Sequence, residues 1–189
     1  MFSSTPSSCT DEENIFPFDS SKTTKIFDPI RNKSLDCTPE EKVRQNLLSL
    51  LVHKLHYPEK LIIVEKELRT LLPLFTRKDA HLPKRRPDLL IVTPQIYTNC
   101  KGDTYKFGNP RPLLLIECKA RIINQNTLIQ LLSYNYILGT CCLAIVSRDK
   151  QLTGFINPRT QTLNFYSGLP EYTQLLNYYC SLNSNYPKL

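Results

Sequence analysis

Two short acidic segments beside apolar runs constrain this chain more than any other feature. Arg86-Pro87-Asp88 leads into the apolar residues 89–92, and the apolar residues 113–116 lead into Glu117-Cys118-Lys119. Residues two apart share one face of a strand, so Glu117 and Lys119 point to one side and Cys118 points to the other. If the two runs are neighbouring strands, Asp88 and Glu117 form a carboxylate pair beside the ammonium group of Lys119.

A carboxylate pair of this kind is suited to phosphodiester hydrolysis, which needs a nucleophilic water and neutralised phosphate charge. Mg²⁺ held by carboxylate oxygens supplies both. We therefore predict that Asp88 and Glu117 are ligands of Mg²⁺, for which Mn²⁺ substitutes. Lys119 then orients or helps to deprotonate the attacking water, or stabilises the charged transition state. A solvated ion pair at a strand end has the same Glu-x-Lys sequence, so this motif needs further support.

Further support comes from the segment that follows. Residues 125–138 are expected to form an amphipathic helix, on which Gln130 and Tyr134 are four apart and share a face. We predict that Gln130 holds DNA or a metal-bound water, and that Tyr134 packs beneath it or bonds a phosphate. A half-buried aromatic side chain without a functional role is the alternative for Tyr134.

The order Asp88, Glu117-Cys118-Lys119 and Gln130-x-x-x-Tyr134 resembles the motif series of the PD-(D/E)xK nuclease superfamily, in its RecB-like branch. The chain is similar there to the N-terminal nuclease domain of type I restriction enzyme R subunits, over about residues 25–175. The other segments that carry the resemblance are Phe27-Asp28-Pro29-Ile30-Arg31, Thr38-Pro39-Glu40-Glu41-x-Val43-Arg44-Gln45, Tyr57-Pro58 and Val64-Glu65-Lys66-Glu67.

The chain departs from the family pattern in two places. Relatives often have a Thr-Asn-Gly turn after the strand that follows the Gln/Tyr helix, whereas this chain has Val146-Ser147-Arg148-Asp149. Residues 94–112, between the two acidic segments, are also long and are expected to form an inserted loop or an extended hairpin. Neither departure removes a predicted ligand.

The periodicity of the chain predicts a mixed α/β fold. Thr38-Pro39-Glu40-Glu41 is a capping box that begins a helix ending near Tyr57-Pro58. Strands are predicted at residues 61–64, 88–93, 113–119 and 141–146, a hairpin over residues 155–165, and a closing helix over residues 170–179. This order matches the restriction-endonuclease-like α-β-β-β-α-β core that the resemblance implies, with a central mixed sheet flanked by helices.

Length and composition predict one domain. With 189 residues, of which 41% are hydrophobic, the chain can bury a core. We predict a flexible tail over residues 1–24 and a single domain over residues 25–189, with its core at about residues 38–168. The sequence shows no signal peptide and no membrane-length apolar run, so we expect a cytoplasmic protein. Its seven cysteines lack zinc spacing and do not resemble an iron–sulfur pattern, so they are predicted to be reduced thiols.

Additional site residues are expected from the first helix and from the segment before Asp88. Many relatives donate a further acid from this helix, so the resemblance makes Glu41 a third metal ligand, although its capping role explains it equally well. Arg44 and Gln45 are candidates for phosphate contact, and an exposed helix arginine is the alternative for Arg44. Arg86 and Lys84 are predicted to bind or position DNA.

Positive charge is concentrated near the predicted ligands. Residues 77–121 contain ten Lys and Arg against four acids, whereas the rest of the chain has fourteen against thirteen. Clustered cations bind polyanions by releasing counterions from the phosphate backbone. A solubilising basic face is the alternative.

We therefore expect a Mg²⁺-dependent DNA endonuclease. A catalytically idle DNA-binding module of the same fold and a protein-interaction domain are the alternatives. No phosphate-binding Gly-rich loop is present, so the chain is not expected to hydrolyse ATP. Whether it acts alone, as a homodimer, or with a separate motor or specificity subunit is open, as are its target site and preferred DNA structure.

Overall fold

The computed structural model describes residues 24–71, 84–157, 160 and 162–182. All but the last residue of the predicted tail therefore lies outside the described residues. The elements in chain order are β1 (Lys25–Asp28), β2 (Lys33–Asp36), α1 (Pro39–His53), β3 (Ile62–Val64), α2 (Leu68–Leu71), β4 (Leu89–Val92), β5 (Ile96–Thr98), β6 (Thr104–Lys106), β7 (Pro112–Lys119), α3 (Gln125–Leu138), β8 (Cys142–Ser147), β9 (Gln151–Ile156), β10 (Leu163–Ser167) and α4 (Tyr172–Leu182).

The described strands form one mixed six-stranded sheet in the order β10-β9-β8-β7-β4-β3, and two small hairpins, β1–β2 and β5–β6. β7 and β8 are parallel and are joined through α3, whereas the other neighbours in the large sheet are antiparallel. A parallel pair needs a long crossover, and α3 provides it. The predicted mixed α/β fold with its α-β-β-β-α-β core is confirmed.

Helices cover both faces of the sheet. On one face Leu114 and Ile116 of β7 pack in a core with side chains of α1 and α4. On the other face Leu115 packs in a second core with Leu131 of α3 and with Leu68 of α2. The alternation along β7 follows from the two-residue repeat of a strand. Glu117 and Lys119, two and four residues after Leu115, therefore end on the α3 side.

The start of α1 and both ends of α3 are encoded locally. The hydroxyl group of Thr38 accepts a hydrogen bond from the Glu41 backbone N–H at 3.1 Å, and Pro39 occupies the first turn of α1. At α3 the side chain of Asn124 accepts from the Thr127 N–H at 3.0 Å, and Gly139 ends the helix with a φ of 68°. The structure gives α3 the predicted bounds.

Short elements account for the differences from the sequence-based expectations. The β5–β6 hairpin is the predicted extended hairpin within residues 94–112, and the predicted hairpin and closing helix are β9–β10 and α4. The β1–β2 hairpin and α2 were not predicted, because elements of four residues show almost no periodicity.

No helix among the described residues combines the length and hydrophobicity needed to cross a membrane. The six cysteines in this part of the chain are all free thiols.

Candidate active site

Asp88 and Glu117 meet at one end of the large sheet. Leu89 of β4 is paired with Ile116 of β7, so the preceding residue, Asp88, lies opposite Glu117. Asp88 is 7% exposed and Glu117 is 2% exposed. The structure thus places the two predicted metal ligands together in a water-poor position, where the charge of Asp88 disfavours ionisation of Glu117.

Both carboxylate oxygens of Asp88 have partners. Oδ1 accepts a hydrogen bond from Nη2 of Arg44 at 2.7 Å, and Oδ2 accepts from the backbone N–H of Cys118 at 2.6 Å. One bond reaches α1 and the other reaches β7. Asp88 is therefore fixed in position by two different elements.

Only one of the two carboxylate oxygens of Glu117 has hydrogen-bond partners among the described residues. Its Oε1 accepts from Nζ of Lys119 at 2.8 Å and from Nε2 of Gln130 at 2.6 Å. Its Oε2 is buried and has no hydrogen-bond partner among the described residues. Burial, followed by the charge of Asp88, raises the pKa of Glu117 to about 7. A buried oxygen of this kind is a position where a cation would be stabilised.

Lys119 keeps its proton. Burial opposes its charge, but the hydrogen bond and the charge of Glu117 outweigh burial and raise the pKa of Lys119 above its ordinary value. A protonated lysine donates hydrogen bonds and stabilises negative charge, whereas a general base must first lose that proton. The arrangement therefore favours charge stabilisation among the roles predicted for Lys119.

The Gln130 and Tyr134 side chains share one face of α3, as the four-residue spacing predicts. Nε2 of Gln130 donates to Glu117 and lies 3.3 Å from the hydroxyl group of Tyr134. That hydroxyl also donates a long hydrogen bond of 3.5 Å to the backbone carbonyl of Arg86. The ring of Tyr134 belongs to the core between α3 and the sheet. Gln130 thus contacts a predicted ligand directly, and Tyr134 lies behind it.

A network of ion pairs surrounds Asp88 on the α1 side, and we call it the arginine cluster. Arg31 pairs with three carboxylates, those of Asp28, Glu41 and Glu65. Arg44 pairs with Glu41, with Glu65 at 3.3 Å and with Asp88 at 2.7 Å. The members of the arginine cluster are Asp28, Arg31, Glu41, Arg44, Glu65 and Asp88.

Two members of the arginine cluster, Asp28 and Arg44, have pKa values shifted toward the ionised form. Burial opposes ionisation of Asp28, but hydrogen bonds from Arg31 and Gln45 outweigh it and hold the pKa of Asp28 below its ordinary value. Burial likewise opposes the charge on Arg44, and Asp88, Glu65 and Glu41 together raise its pKa further. Gln45, predicted to contact phosphate, donates instead to Asp28 and Glu41, each at 2.8 Å.

The two acids of α1 have different surroundings. Both oxygens of Glu41 are engaged, Oε1 by Arg31 and Oε2 by Arg44, so Glu41 belongs to the arginine cluster. Glu40 is half-exposed, and its charge acts on Glu117 and on Lys119. The role of Glu41 as a third metal ligand stays a prediction without a supporting contact.

The basic segment before Asp88 is exposed. Arg86 donates from Nη2 to Glu67 at 3.1 Å, and the Lys84 side chain is exposed. Their DNA contacts stay predictions. Arg44, by contrast, is 4% exposed, so the arrangement favours a positioning role over direct contact with DNA.

Three residues of the arginine cluster had no role assigned from sequence: Asp28, Arg31 and Glu65. The sequence signal that could have found them is the family resemblance, because the segments that contain them carry it. Glu65 has a positive φ of 46°, directly after β3, and Asn32 has one of 48° in the β1–β2 turn. Backbone turns of this kind bring distant segments together and leave no periodic pattern.

Among the described residues, no group of three or more His, Cys, Asp or Glu side chains is arranged to hold a metal ion. Mg²⁺ is nevertheless commonly bound by one or two carboxylates, with waters and substrate phosphates completing its shell. Asp88 fits that pattern together with Glu117, whose Oε2 has no partner among the described residues. The donor set therefore suits Mg²⁺ or Mn²⁺ when a phosphate is present.

Fold and site together define a mixed α/β protein with a nuclease-like core. The family model described as the type I restriction enzyme R protein N terminus matches residues 39–170. The chain belongs to this family, which confirms the resemblance seen in the sequence. Membership supports a nuclease-like role in general. No curated protein and no solved structure matches the chain.

Proposed function

We propose that the chain is a divalent-metal-dependent endonuclease domain that hydrolyses phosphodiester bonds of DNA. The observation that carries this proposal is the buried Oε2 of Glu117, which has no partner among the described residues and lies beside a second carboxylate. A purely structural ion pair would satisfy both oxygens. Carboxylates also repel phosphate, so a module that only binds DNA gains nothing from an unsatisfied one.

In this proposal Asp88 and Glu117 bind Mg²⁺ or Mn²⁺, which supplies an activated water and neutralises phosphate charge when bound. Arg44 and the Cys118 backbone N–H orient Asp88. Gln130 orients Glu117, and protonated Lys119 stabilises negative charge on the phosphate. The basic segment that includes Lys84 and Arg86 attracts the DNA backbone.

Plasmid cleavage tests the proposal. Wild-type protein is compared with Asp88→Asn, Glu117→Gln and Lys119→Ala, each with Mg²⁺, with Mn²⁺ and with EDTA. We expect metal-dependent nicking or linearisation by the wild type and a loss of about 100-fold or more in each variant, since each removes a metal or transition-state contact. Glu59→Gln is the matched control, because Glu59 is exposed and precedes β3, at the end of the sheet away from Asp88.

Two outcomes would reject the enzyme. Cleavage that persists in EDTA or in Asp88→Asn would assign it to a contaminant or to another site. DNA binding that weakens with salt, with no cleavage by the wild type, would support the idle DNA-binding module instead.

Association with other subunits is part of the same proposal. The family description names the R protein of a type I restriction enzyme, so we propose that a separate motor or specificity subunit is a partner. Co-purification of the chain with the other subunits of such an enzyme tests this, and a monodisperse chain that binds none of them contradicts it.

A further inference from the structure

A groove of about 640 Å³ lies between α1 and the carboxyl ends of the parallel strands β7 and β8. We call it the α1 groove. Its wall on one side is formed by α1, and on the other by residues 120–121 and 146–151. The volume falls in the range of small-molecule sites, which is about 300–1,000 Å³.

The chemistry of the α1 groove is divided between an apolar floor and a basic rim. Val43, Leu47 and Val146 belong to the floor. Lys42 and Arg121 are exposed cations of the rim and make no ion pair with any described residue. Arg148 is the third cation, with only a loose contact of 3.9 Å to Asp149. No acidic residue is among the groove's described lining residues.

Two side-chain amides complete the lining, those of Asn46 and Gln151. Neither side chain makes a hydrogen bond within the described part of the chain. An amide offers both donors and an acceptor, which is the complement of the polar edge of a nucleobase. The groove therefore combines apolar, hydrogen-bonding and cationic surfaces.

The α1 groove adjoins the candidate active site. Ala120 lines it and directly follows Lys119, while Ser147 lines it and is the register partner of Lys119. Lys42 lines it and directly follows Glu41. The groove and the candidate active site therefore lie at the same end of the sheet, the groove on the α1 side and Lys119 on the α3 side.

We propose that the α1 groove binds an unpaired nucleotide of the bound DNA strand, at the same end of the sheet as the candidate active site. The inference rests on the proposed function. In a duplex the apolar base faces are stacked on one another, so the floor of the groove would contact no base. An unpaired base can enter, while Lys42, Arg121 and Arg148 hold its flanking phosphates. The enzyme thus acts at nucleotides that leave the base-paired duplex.

Binding in EDTA tests the groove without cleavage. A short fluorescent single-stranded oligonucleotide and the matching duplex are titrated, with anisotropy as the readout. Lys42→Glu combined with Arg121→Glu should weaken single-strand binding by about tenfold or more, since each removes a phosphate contact. Lys60→Glu is the control for charge, because Lys60 is exposed and precedes β3, at the other end of the sheet.

A second pair of variants separates a nucleotide pocket from a merely basic surface. Asn46→Ala with Gln151→Ala leaves the charge unchanged and should weaken single-strand binding several-fold while leaving duplex binding unaltered. Asn164→Ala is the matched amide control, on the exposed face of β10. Equal loss for single strand and duplex, or no loss, would overturn the proposal. Displacement of the oligonucleotide by a free mononucleotide at equal concentration would overturn it too, since the groove would then hold a free nucleotide.

Failure of the groove and failure of the nuclease are distinguishable. If the wild type cleaves DNA and the groove variants bind single strands normally, the groove proposal is wrong and the nuclease stands. If the wild type cleaves nothing but the groove variants lose single-strand binding, the groove stands and the enzyme is rejected.

Discussion

Asp88 and Glu117 lie opposite each other at the same end of the sheet, but the partners of their oxygen atoms differ. Asp88 is held by Arg44 and by the Cys118 backbone N–H, with no oxygen left over. Glu117 has Lys119 and Gln130 on one oxygen and no described partner on the other. Both oxygens of Asp88 therefore have hydrogen-bond partners, whereas only one oxygen of Glu117 has them.

This difference indicates that the partners of Asp88 stabilise the fold, whereas Glu117 is positioned for the chemistry of the site. The arginine cluster joins the β1–β2 hairpin, α1, the residue after β3 and Asp88, so its ion pairs tie the site to the fold. Glu117 is buried at a cost that its neighbours do not fully offset, as its pKa of about 7 indicates. An added metal cation should therefore stabilise the protein at Glu117, whereas removal of an arginine should destabilise it at the arginine cluster.

The largest effect is expected for Arg44→Met, which leaves the buried carboxylates of Asp88 and Glu41 without their shared cation. Removal of one partner of a buried ion pair costs about 3–5 kcal/mol, because the remaining charge stays desolvated. We expect a loss of that size in the free energy of unfolding, measured by urea denaturation at pH 7.

Lys25→Met is the control for Arg44→Met. Lys25 pairs with Asp36, but both side chains are about 60% exposed, so the loss should stay below about 1 kcal/mol. Equal losses in the two variants would show that the arginine cluster does not fix Asp88.

The second effect is a gain in the free energy of unfolding, expected for Glu117→Gln at high pH. The pKa of Glu117 is raised from 4.5 to about 7, so between these pH values the folded state holds a proton that the unfolded state has released. The free energy of unfolding of the wild type therefore falls as the pH rises through this window, by about 3 kcal/mol. Glu117→Gln cannot ionise, and should be more stable than the wild type at pH 8 by about that amount and similar to it at pH 5.

Urea denaturation at pH 5 and pH 8 measures this crossover, with Glu59→Gln as the control that should follow the wild type at both. Addition of Mg²⁺ at pH 8 should raise the melting temperature of the wild type and not that of Glu117→Gln, since the ion binds the folded, ionised carboxylate. A pH-independent difference between the variant and the wild type would contradict the raised pKa.

The two regions also differ in how far the sequence predicts them. Glu117, Lys119, Gln130 and Tyr134 follow from the strand and helix repeats, which place residues two or four apart on one face. Nothing local indicates that Arg31 reaches Glu65, 34 residues away. That contact depends on the turn after β3 and on the docking of a short hairpin against α1, and both are tertiary outcomes.

The fold was predictable for a similar reason. Strands β4, β7 and β8 are continuous apolar runs, as expected for strands buried on both faces, and α3 has strong caps. The sequence-based prediction of Glu41 as a third metal ligand has no supporting contact in the structure. Adjacent residues of a helix such as Glu40 and Glu41 point about 100° apart. The structure gives Glu41 to the arginines, whereas the charge of Glu40 acts on Glu117.

A smaller effect is expected for Gln130→Leu, which keeps the volume of the side chain but removes the hydrogen bond to Glu117. A hydrogen bond to a charged group contributes about 1.5–3 kcal/mol, and Lys119 remains on the same oxygen, so we expect a loss near the lower end at pH 8. Gln125→Leu, at the exposed start of α3, is the control for helix propensity. Unchanged stability in Gln130→Leu would mean that Lys119 alone orients Glu117.

The smallest effect on stability is expected for Tyr134→Phe. Its hydroxyl group makes only long contacts, 3.3 Å to Gln130 and 3.5 Å to the Arg86 carbonyl, so its removal should change the free energy of unfolding by less than about 0.5 kcal/mol. Tyr134→Ala removes the buried ring as well and should cost about 3–5 kcal/mol. If Tyr134→Phe folds normally but cleaves DNA more slowly, the hydroxyl contacts the phosphate; if cleavage is unchanged, Tyr134 serves only to pack beneath Gln130.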